Sequence, residues 1–227
     1  MNFATLLRYV KLENNDVWDH RYYALNTYYI FAQKYKIGMN AIYNEYGFED
    51  ICEKCDGFFL PGSGTNINPE YYGKPPFETP DPVDEYALDS KLIEYFINHN
   101  KPIFGICGGL QAINVFMGGS LKKVADVDAH QNYEKSNHLI DIKEGSFVHD
   151  VFGAKEALIN SYHSWCIDKL APGLEAVAWT KDGVIEAVES KEKRIYATQW
   201  HPELSFEVFP NDTEQKFIEN FINLCRR

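Results

Sequence analysis

A cysteine between glycines is the first feature of this chain that could do chemistry. Cys107 lies in the stretch GICGGL, after a continuous apolar run and before residues with helical spacing, so the sequence predicts a turn from a strand into a helix. The unpaired N–H groups and positive dipole end of that helix would favour a thiolate. Gly105 and Gly109 allow a tight turn and close helix packing, and Gly108 leaves access to the sulfur. The pattern favours a nucleophile, with a buried structural cysteine as the alternative.

A histidine and a glutamate near the other end of the chain could complete a nucleophilic site. A thiolate nucleophile needs a general base, and the base needs a group that orients it. His201 and Glu203 lie in the stretch QWHPE, directly after an apolar run that predicts a strand. Residues two apart on an extended chain point the same way, so Glu203 can reach His201 and fix its tautomer. A structural histidine beside a surface glutamate is the alternative, but together with Cys107 the pair predicts a catalytic triad.

Length, composition and charge narrow the class of protein. With 227 residues and a hydrophobic fraction of 45%, the chain can bury the core of one α/β domain, and we expect a single domain over residues 1–227. The net charge of -11 and the lack of a dense Lys and Arg run argue against nucleic-acid binding. No apolar run reaches the ~18 residues of a membrane span, and the N-terminal residues do not resemble a signal peptide. We therefore expect a cytoplasmic protein without a membrane partner.

The remaining cysteines and histidines show no pattern of a metal or redox site. Cys52 and Cys55 form a CxxC pair, but this pair has no second CxxC or HxxxH partner and does not open a helix after a strand. Cys166 and Cys225 lie in mixed apolar stretches and are interpreted as buried hydrophobic residues. The histidines without metal-ligand spacing are interpreted as ordinary, namely His20, His99, His130, His138 and His149. No metal site is expected.

Apolar periodicity predicts alternating strands and helices, the pattern of a parallel α/β sheet. A helix is expected over Arg21–Tyr35, where apolar and aromatic residues recur at intervals of three and four. Further helices are expected in VDEYALDSKLIEYFINHN, GLQAINVFMGG and NDTEQKFIENFINLC, and strands in IGMNAIYN, GFFLPG, PIFGIC and RIYATQW. Alternating residues on both sides of Asp182 and Gly183 predict an antiparallel hairpin. The polar loop from Ser63 to Pro82 is long for a compact domain and is a candidate lid or rim.

Several motifs together resemble a known family. GICGGLQ followed by GGSL, with LPGS upstream and QWHPE downstream, is similar to the class I glutamine amidotransferase superfamily. Within it, LPGSGTNINPEYYG, HLIDIKEGSFVHDVFG and INSYHSW resemble the free-standing γ-glutamyl hydrolases, which include the γ-glutamyl-γ-aminobutyrate hydrolases. The resemblance runs from about Asp56 to Leu204, whereas the first fifty residues match weakly. It implies a flavodoxin-like, mostly parallel central sheet flanked by helices, with an added antiparallel portion.

The resemblance also implies catalytic roles for the residues that match its motifs. Cys107 corresponds to the nucleophile, His201 to the general base and Glu203 to the group that orients the base. The backbone N–H groups of Gly62 and Gly108 correspond to the oxyanion hole, which binds the negative charge that develops on the carbonyl oxygen.

Substrate-binding roles are implied for three further residues. Gln111 corresponds to a position that contacts the glutamyl part of the substrate, with a polar residue on the first helical turn as the alternative. His163 corresponds to a histidine beside the nucleophile, with a structural histidine as the alternative. Ser63 stands where many relatives have glycine, so its backbone could share the oxyanion hole. Two departures leave the substrate open: Gly108 replaces a larger, often basic residue, and Ser164–Trp165 differ from the usual pair.

These features predict hydrolysis of a γ-glutamyl amide bond through a γ-glutamyl thioester, without a cofactor. The small-molecule substrate would be γ-glutamyl-γ-aminobutyrate, a similar compound or glutamine. One alternative is a glutaminase subunit that passes ammonia to a synthetase on a separate chain, a partner required only in that case. Another is a protein that binds γ-glutamyl ligands without catalysis. The leaving amine and the oligomeric state stay open, a homodimer among the options.

Overall fold

The computed structural model of the protein describes residues 1–11, 20–23, 26–130, 138–208 and 210–226. In these ranges the strands are β1 (Asn2–Leu6), β2 (Arg8–Lys11), β3 (His20–Tyr23), β4 (Gly38–Ile42), β5 (Gly57–Leu60), β6 (Ile103–Ile106), β7 (Ser120–Lys123), β8 (His138–Ile142), β9 (Glu156–Ile159), β10 (Trp165–Lys169), β11 (Glu175–Thr180), β12 (Ile185–Ser190) and β13 (Ile195–Thr198). The α-helices are α1 (Asn26–Tyr35), α2 (Phe48–Glu53), α3 (Glu85–Asn98), α4 (Gly108–Phe116), α5 (Val127–His130), α6 (Phe147–Phe152) and α7 (Asp212–Cys225). Short 3-10 helices cover Pro69–Tyr72 and Pro202–Phe206.

The main sheet has the strand order β4-β1-β5-β6-β13-β12-β11-β8-β9. Its first five strands are parallel and, numbered along the chain, follow the order 2-1-3-4-5 of flavodoxin-like folds. The remaining strands pair antiparallel, and β11 and β12 form the hairpin around Asp182 and Gly183. The prediction of a mostly parallel α/β sheet with an antiparallel portion is therefore confirmed.

The central strands of the sheet are buried on both faces, which explains their continuous apolar runs. In β5, Phe58 and Leu60 pack in the cluster that also contains Phe96 of α3. Phe59 faces the other way, into the cluster that contains Phe31 of α1 and Phe221 of α7. Helices thus cover the sheet on both sides.

Most of the helices and strands predicted from periodicity are confirmed, but the first helix is shorter than expected. Residues 21–23 belong to β3, which pairs antiparallel with β2, and α1 begins only at Asn26. Aromatic residues suit a strand as well as a helix, so pairing with β2 decides the conformation there. Ala24 and Leu25 of the predicted helix lie outside the described residues. The Ser63–Pro82 loop lacks regular structure apart from the turn at Pro69–Tyr72.

Strand pairing brings two distant parts of the chain to one edge of the sheet. Ile106 at the end of β6 pairs in register with Thr198 at the end of β13, and the Cys107 N–H donates to the Thr198 carbonyl at 2.7 Å. The chain segments that carry Cys107 and His201 therefore leave the sheet side by side. None of the helices in the described ranges combines the length and hydropathy needed to cross a bilayer.

Candidate active site

A cavity of about 360 Å³ opens beyond the carboxyl ends of the parallel strands. Open α/β sheets bind their ligands at this edge, because the loops that follow the strands converge there. Cys107, His201 and Glu203 all line the cavity, as do both predicted oxyanion-hole glycines, Gly62 and Gly108. The structure thus brings together the residues predicted for catalysis.

Cys107 occupies a strained corner between β6 and α4. Its φ of 50° and ψ of -106° lie outside the regions that residues with a side chain prefer, a conformation that costs about 1–3 kcal/mol. The residue is only 7% exposed within the cavity wall, and its sulfur accepts a hydrogen bond from Gln199 Nε2 at 3.5 Å. At Gly109, a Cβ would lie 2.2 Å from the Leu60 carbonyl oxygen. Close contact between α4 and β5 therefore requires glycine at 109, as the sequence predicts.

His201 and Glu203 form a buried pair. The distance between His201 Nδ1 and Glu203 Oε1 is 2.8 Å, and the Glu203 side chain is almost fully buried. Burial opposes the positive charge of His201, but the Glu203 carboxylate and the Cys107 sulfur outweigh it and hold the pKa of His201 well above its usual value. His201 Nε2 has no hydrogen-bond partner among the described residues. The ring is therefore oriented by Glu203, and its other nitrogen can exchange a proton within the cavity.

The local conformation of this pair differs from the extended chain expected from the sequence. His201 caps the 3-10 helix Pro202–Phe206, so Glu203 lies in the first turn of that helix. Asn160 holds the backbone of His201 from both sides, because it accepts from the His201 N–H and donates to the His201 carbonyl, each at 2.9 Å. Asn160 lies within the family-like stretch INSYHSW, but the sequence analysis did not assign it a role. The pairing arises from a capped turn rather than from strand alternation.

The loop that carries Gly62 is held by a buried arginine. Arg8 donates from Nη2 to the Pro61 carbonyl at 2.8 Å and from Nε to the Gly62 carbonyl at 3.0 Å. In a trans peptide the N–H points opposite to the carbonyl, so the N–H groups of Gly62 and Ser63 point away from Arg8. Arg8 also lines the cavity. No local sequence signal indicated Arg8, because its partners lie more than fifty residues away.

Gly108 lies next to the backbone of Ser63 beside the nucleophile. A Cβ at Gly108 would lie 2.8 Å from the Ser63 backbone nitrogen, so a larger residue at 108 requires a shifted loop. The Ser63 hydroxyl donates to Glu85 Oε2 at 2.5 Å and accepts from the Thr65 N–H at 2.9 Å. These contacts fix the loop conformation opposite the nucleophile.

The other two residues predicted to bind substrate are tied to the protein itself. Gln111 Nε2 donates to the Trp165 carbonyl at 2.8 Å and to Gln199 Oε1 at 3.2 Å. His163 is buried, and its Nδ1 lies 3.0 Å from the same Trp165 carbonyl. Both residues line the cavity, and their contact with substrate stays a prediction.

One histidine interpreted as ordinary from the sequence lies in a cluster. His130 and His163 approach each other through ring nitrogens 3.3 Å apart, and Glu186 Oε1 lies 3.4 Å from His163 Nε2. Residues separated by 33 and 23 positions have no ligand spacing that the sequence could reveal.

The pair Cys52 and Cys55 is buried, and burial raises the thiol pKa of both.

Comparison with known proteins gives one family. The model of the Peptidase C26 family matches residues 7–203. The chain is 34% identical to a Lactococcus lactis protein described as glutamine amidotransferase-like, YvdE, over 74% of this chain and 73% of that protein. It is 28% identical to the γ-glutamyl-γ-aminobutyrate hydrolase PuuD of Escherichia coli, over 78% and 75% of the two chains.

Solved structures support the same architecture. A Thermoplasma acidophilum protein described as part of a GMP synthase has a TM-score of 0.69 at 19% identity, covering 100% of this chain and 94% of that one. A glutamine amido transferase of Methylobacillus flagellatus has a TM-score of 0.61 at 12% identity, covering 98% and 74%. At these identities the likeness shows the fold alone.

Proposed function

The chain belongs to the Peptidase C26 family, and on this premise we propose that it is a cysteine hydrolase that cleaves the amide bond of γ-glutamyl compounds. Family membership and the similarity to γ-glutamyl-γ-aminobutyrate hydrolases support a hydrolase. The observation that carries the finer proposal is the 2.8 Å contact between His201 and Glu203 in the cavity that also contains Cys107. A nucleophile, a base and an orienting carboxylate can act together only when they lie in one cavity and the carboxylate holds the base.

The first half of the reaction forms a thioester. The Cys107 thiolate attacks the γ-carbonyl carbon, and the carbonyl π electrons move onto the oxygen. The N–H groups of Gly62 or Ser63 and of Gly108 would donate to this oxyanion, each such donor contributing about 3 kcal/mol in comparable enzymes. When the tetrahedral intermediate collapses, the C–N bond breaks and the amine leaves with the proton of the His201 imidazolium.

The second half releases glutamate. Neutral His201 accepts a proton from water, which attacks the thioester carbonyl, and the C–S bond breaks to return the Cys107 thiolate. His201 keeps the proton, so the ion pair that began the cycle is restored. Glu203 accepts the Nδ1–H of the His201 ring throughout and holds its orientation.

Release of free glutamate tests this function directly. The purified protein is incubated separately with γ-glutamyl-γ-aminobutyrate, glutamine and a γ-glutamyl anilide. We expect turnover of at least one compound and a loss of at least about 1,000-fold in Cys107→Ala, because no other group can form the thioester. Cys225→Ala, outside the cavity, is the matched control and should keep full activity. Absence of turnover, or equal turnover in Cys107→Ala, would contradict the proposal.

The same assay separates the alternatives. A glutaminase subunit would hydrolyse glutamine only when a synthetase partner is added, whereas a free-standing hydrolase needs none. A binding protein without catalysis would be stabilised by γ-glutamyl ligands while mass spectrometry finds no thioester on Cys107.

A further inference from the structure

Three ligand-type side chains converge at the wall of the catalytic cavity, and one of them, His163, lines it. His130 ends α5, Glu186 lies in β12, and His163 precedes β10. His130 Nδ1, His163 Nε2 and Glu186 Oε1 are separated by 3.3, 3.4 and 3.9 Å. All three side chains are at most 1% exposed. The cluster lies outside the proposed triad, and neither step of the proposed hydrolysis uses it.

The outer nitrogen of each histidine faces an acceptor, and this fixes the tautomers. His163 Nδ1 lies 3.0 Å from the Trp165 carbonyl, which can only accept, so Nδ1 carries the proton. His130 Nε2 lies 3.2 Å from Asp182 Oδ2, so Nε2 carries the proton there. In the neutral rings both inner nitrogens therefore present lone pairs to each other. Metal-binding histidines show this arrangement, with the outer N–H held by a carboxylate or a carbonyl.

Glu186 adds a buried carboxylate without a hydrogen-bond donor. Neither of its oxygens has a partner among the described residues. An uncompensated charge in a protein interior is costly, and two lone pairs nearby make the site still more negative. A cation at the centre of the three atoms would satisfy all of them.

The spacing of the three atoms matches the radius of a metal coordination shell. The circle through them has a radius of about 2.1 Å, and Zn²⁺ lies 2.0–2.2 Å from histidine nitrogen and carboxylate oxygen. We propose that His130, His163 and Glu186 bind a divalent transition-metal ion, with Zn²⁺ as the ion that suits two imidazoles and one carboxylate. This assignment gives His163 a role other than the substrate contact that the family resemblance implies.

The bound ion would stabilise one wall of the active site. His163 is flanked by Tyr162, whose carbonyl lies 3.8 Å from the Cys107 sulfur, and by Ser164, which lines the cavity. The His163 N–H also donates to the His130 carbonyl at 2.8 Å, so the metal and the backbone would tie the same two segments together. The role is structural, because the hydrogen bonds and the ion pair of the proposed nucleophile and base, among the described residues, go to groups other than the three ligands.

Metal content of the untagged protein tests the site without reference to activity. After removal of metals with a chelator and dialysis against low micromolar Zn²⁺, elemental analysis should find about one zinc per chain. The thermal unfolding midpoint should rise with Zn²⁺ concentration, as mass action requires for an ion that binds the folded state. Substitution with Co²⁺ should give visible absorption bands from nitrogen and oxygen ligands in the unmodified chain. Absence of both bound zinc and the bands would overturn the assignment.

Variants distinguish this cluster from other sites on the protein. Glu186→Gln keeps the shape and removes the carboxylate, so zinc affinity should fall by more than about 100-fold. Asp182→Ala removes the outer partner of His130, along with a hydrogen bond from the Thr180 hydroxyl, and should weaken binding by about 10- to 100-fold. His99→Gln, an exposed histidine outside the cluster, is the matched control and should bind as the parent does. Equal zinc binding by Glu186→Gln and the parent would mean that the ion binds elsewhere.

Discussion

Arg8 binds Asp89 with two hydrogen bonds, of 2.7 and 3.1 Å from its guanidinium nitrogens to the two carboxylate oxygens. Both side chains are about 95% buried. The remaining donors of Arg8 bind the carbonyls of Pro61 and Gly62, so the ion pair anchors the loop that the proposed oxyanion hole requires. A planar fork with five donors can hold a carboxylate and two carbonyls at once, whereas an ammonium cannot match this geometry.

Arg8→Lys is therefore expected to lower kcat by about 100-fold with a smaller change in KM, because the oxyanion donors would lose their orientation. Steady-state kinetics with a compound that the glutamate-release assay shows to be turned over, together with a thermal melt, measure this effect. Arg226→Lys at the end of α7 is the control and should leave kcat unchanged. An Arg8→Lys enzyme that is folded and has the parent kcat would show that the loop does not depend on Arg8.

The order in which the cysteines react with iodoacetamide tests the nucleophile. Burial raises the thiol pKa of Cys52, Cys166 and Cys225 to about 12, 11 and 12, and that of Cys55 rises as well, so all four should react slowly. We expect Cys107 to be labelled first, as peptide mapping after brief exposure would show. Labelling of Cys107 should be slower in His201→Ala and in the presence of saturating substrate. First labelling at any other cysteine would refute the assignment.

Glu203→Gln should shift the pH dependence of activity in a defined direction. The Glu203 carboxylate favours the protonated form of His201, so its removal lowers the His201 pKa. Departure of the amine requires that proton, and the alkaline limb of kcat/KM should therefore move to lower pH. Rates measured across the pH range locate the limb. Glu207 is an exposed carboxylate nearby, so Glu207→Gln is the control and should not move the alkaline limb. An alkaline limb that does not move in Glu203→Gln would contradict the proposed role of the His201–Glu203 pair.

Gly109→Ala tests the close packing that positions the nucleophile. Its Cβ would lie 2.2 Å from the Leu60 backbone oxygen, which cannot move without distorting β5. We expect a loss of about 3 kcal/mol or more in the free energy of unfolding, at the upper end for overpacking. Gly64→Ala is the control, since its nearest neighbour would be a backbone oxygen at 3.9 Å, and should change stability by less than about 1 kcal/mol. Urea denaturation of both variants compares them.

Local patterns were enough to predict the parallel part of the fold and the triad segments. Ile103–Ile106 is continuously apolar because both sheet faces are covered, and α4 follows at a glycine corner, so strand, turn and helix each have a signal in adjacent residues. The residues of β3 lacked such a signal, since three aromatic or long side chains in a row fit the period of a strand and of a helix. Pairing with β2, a nonlocal interaction, determined the outcome.

The parts of the site that escaped prediction depend on contacts between distant residues. Arg8 and Asp89 are 81 positions apart, and no motif around either residue predicts their ion pair. His130 and Glu186 are 56 positions apart in the chain, and only the fold brings their side chains to 3.9 Å, so no ligand spacing exists in the sequence. Asn160 and Gln199 lie inside motifs that the sequence does show. The sequence assigned roles to residues next to Asn160 and Gln199. The contacts of these two residues are seen only in the folded structure.

Glu214 should make the stability of the protein depend on pH near neutrality. Burial, together with the charge of Glu203, raises the pKa of Glu214 from 4.5 to about 7, with the Asn211 hydrogen bond opposing the shift. The folded state therefore holds a proton that the unfolded state has released. The stabilisation is complete below about pH 4.5 and is lost as the pH rises through about 7. Between about pH 5 and pH 8, this single group should remove roughly 2 kcal/mol from the free energy of unfolding.

Glu214→Gln removes the titration and should flatten that part of the pH profile. The substitution also alters the hydrogen bonds to Asn160 and Asn211, which changes the free energy of unfolding by the same amount at every pH. The prediction concerns only how the difference in free energy of unfolding between variant and parent changes with pH. The variant should gain roughly 2 kcal/mol on the parent between about pH 5 and pH 8. Urea denaturation at several pH values measures it, with Glu219→Gln, an exposed carboxylate on the same helix, as the control. A difference between Glu214→Gln and the parent that stays constant with pH would mean that Glu214 does not hold a proton in the folded protein.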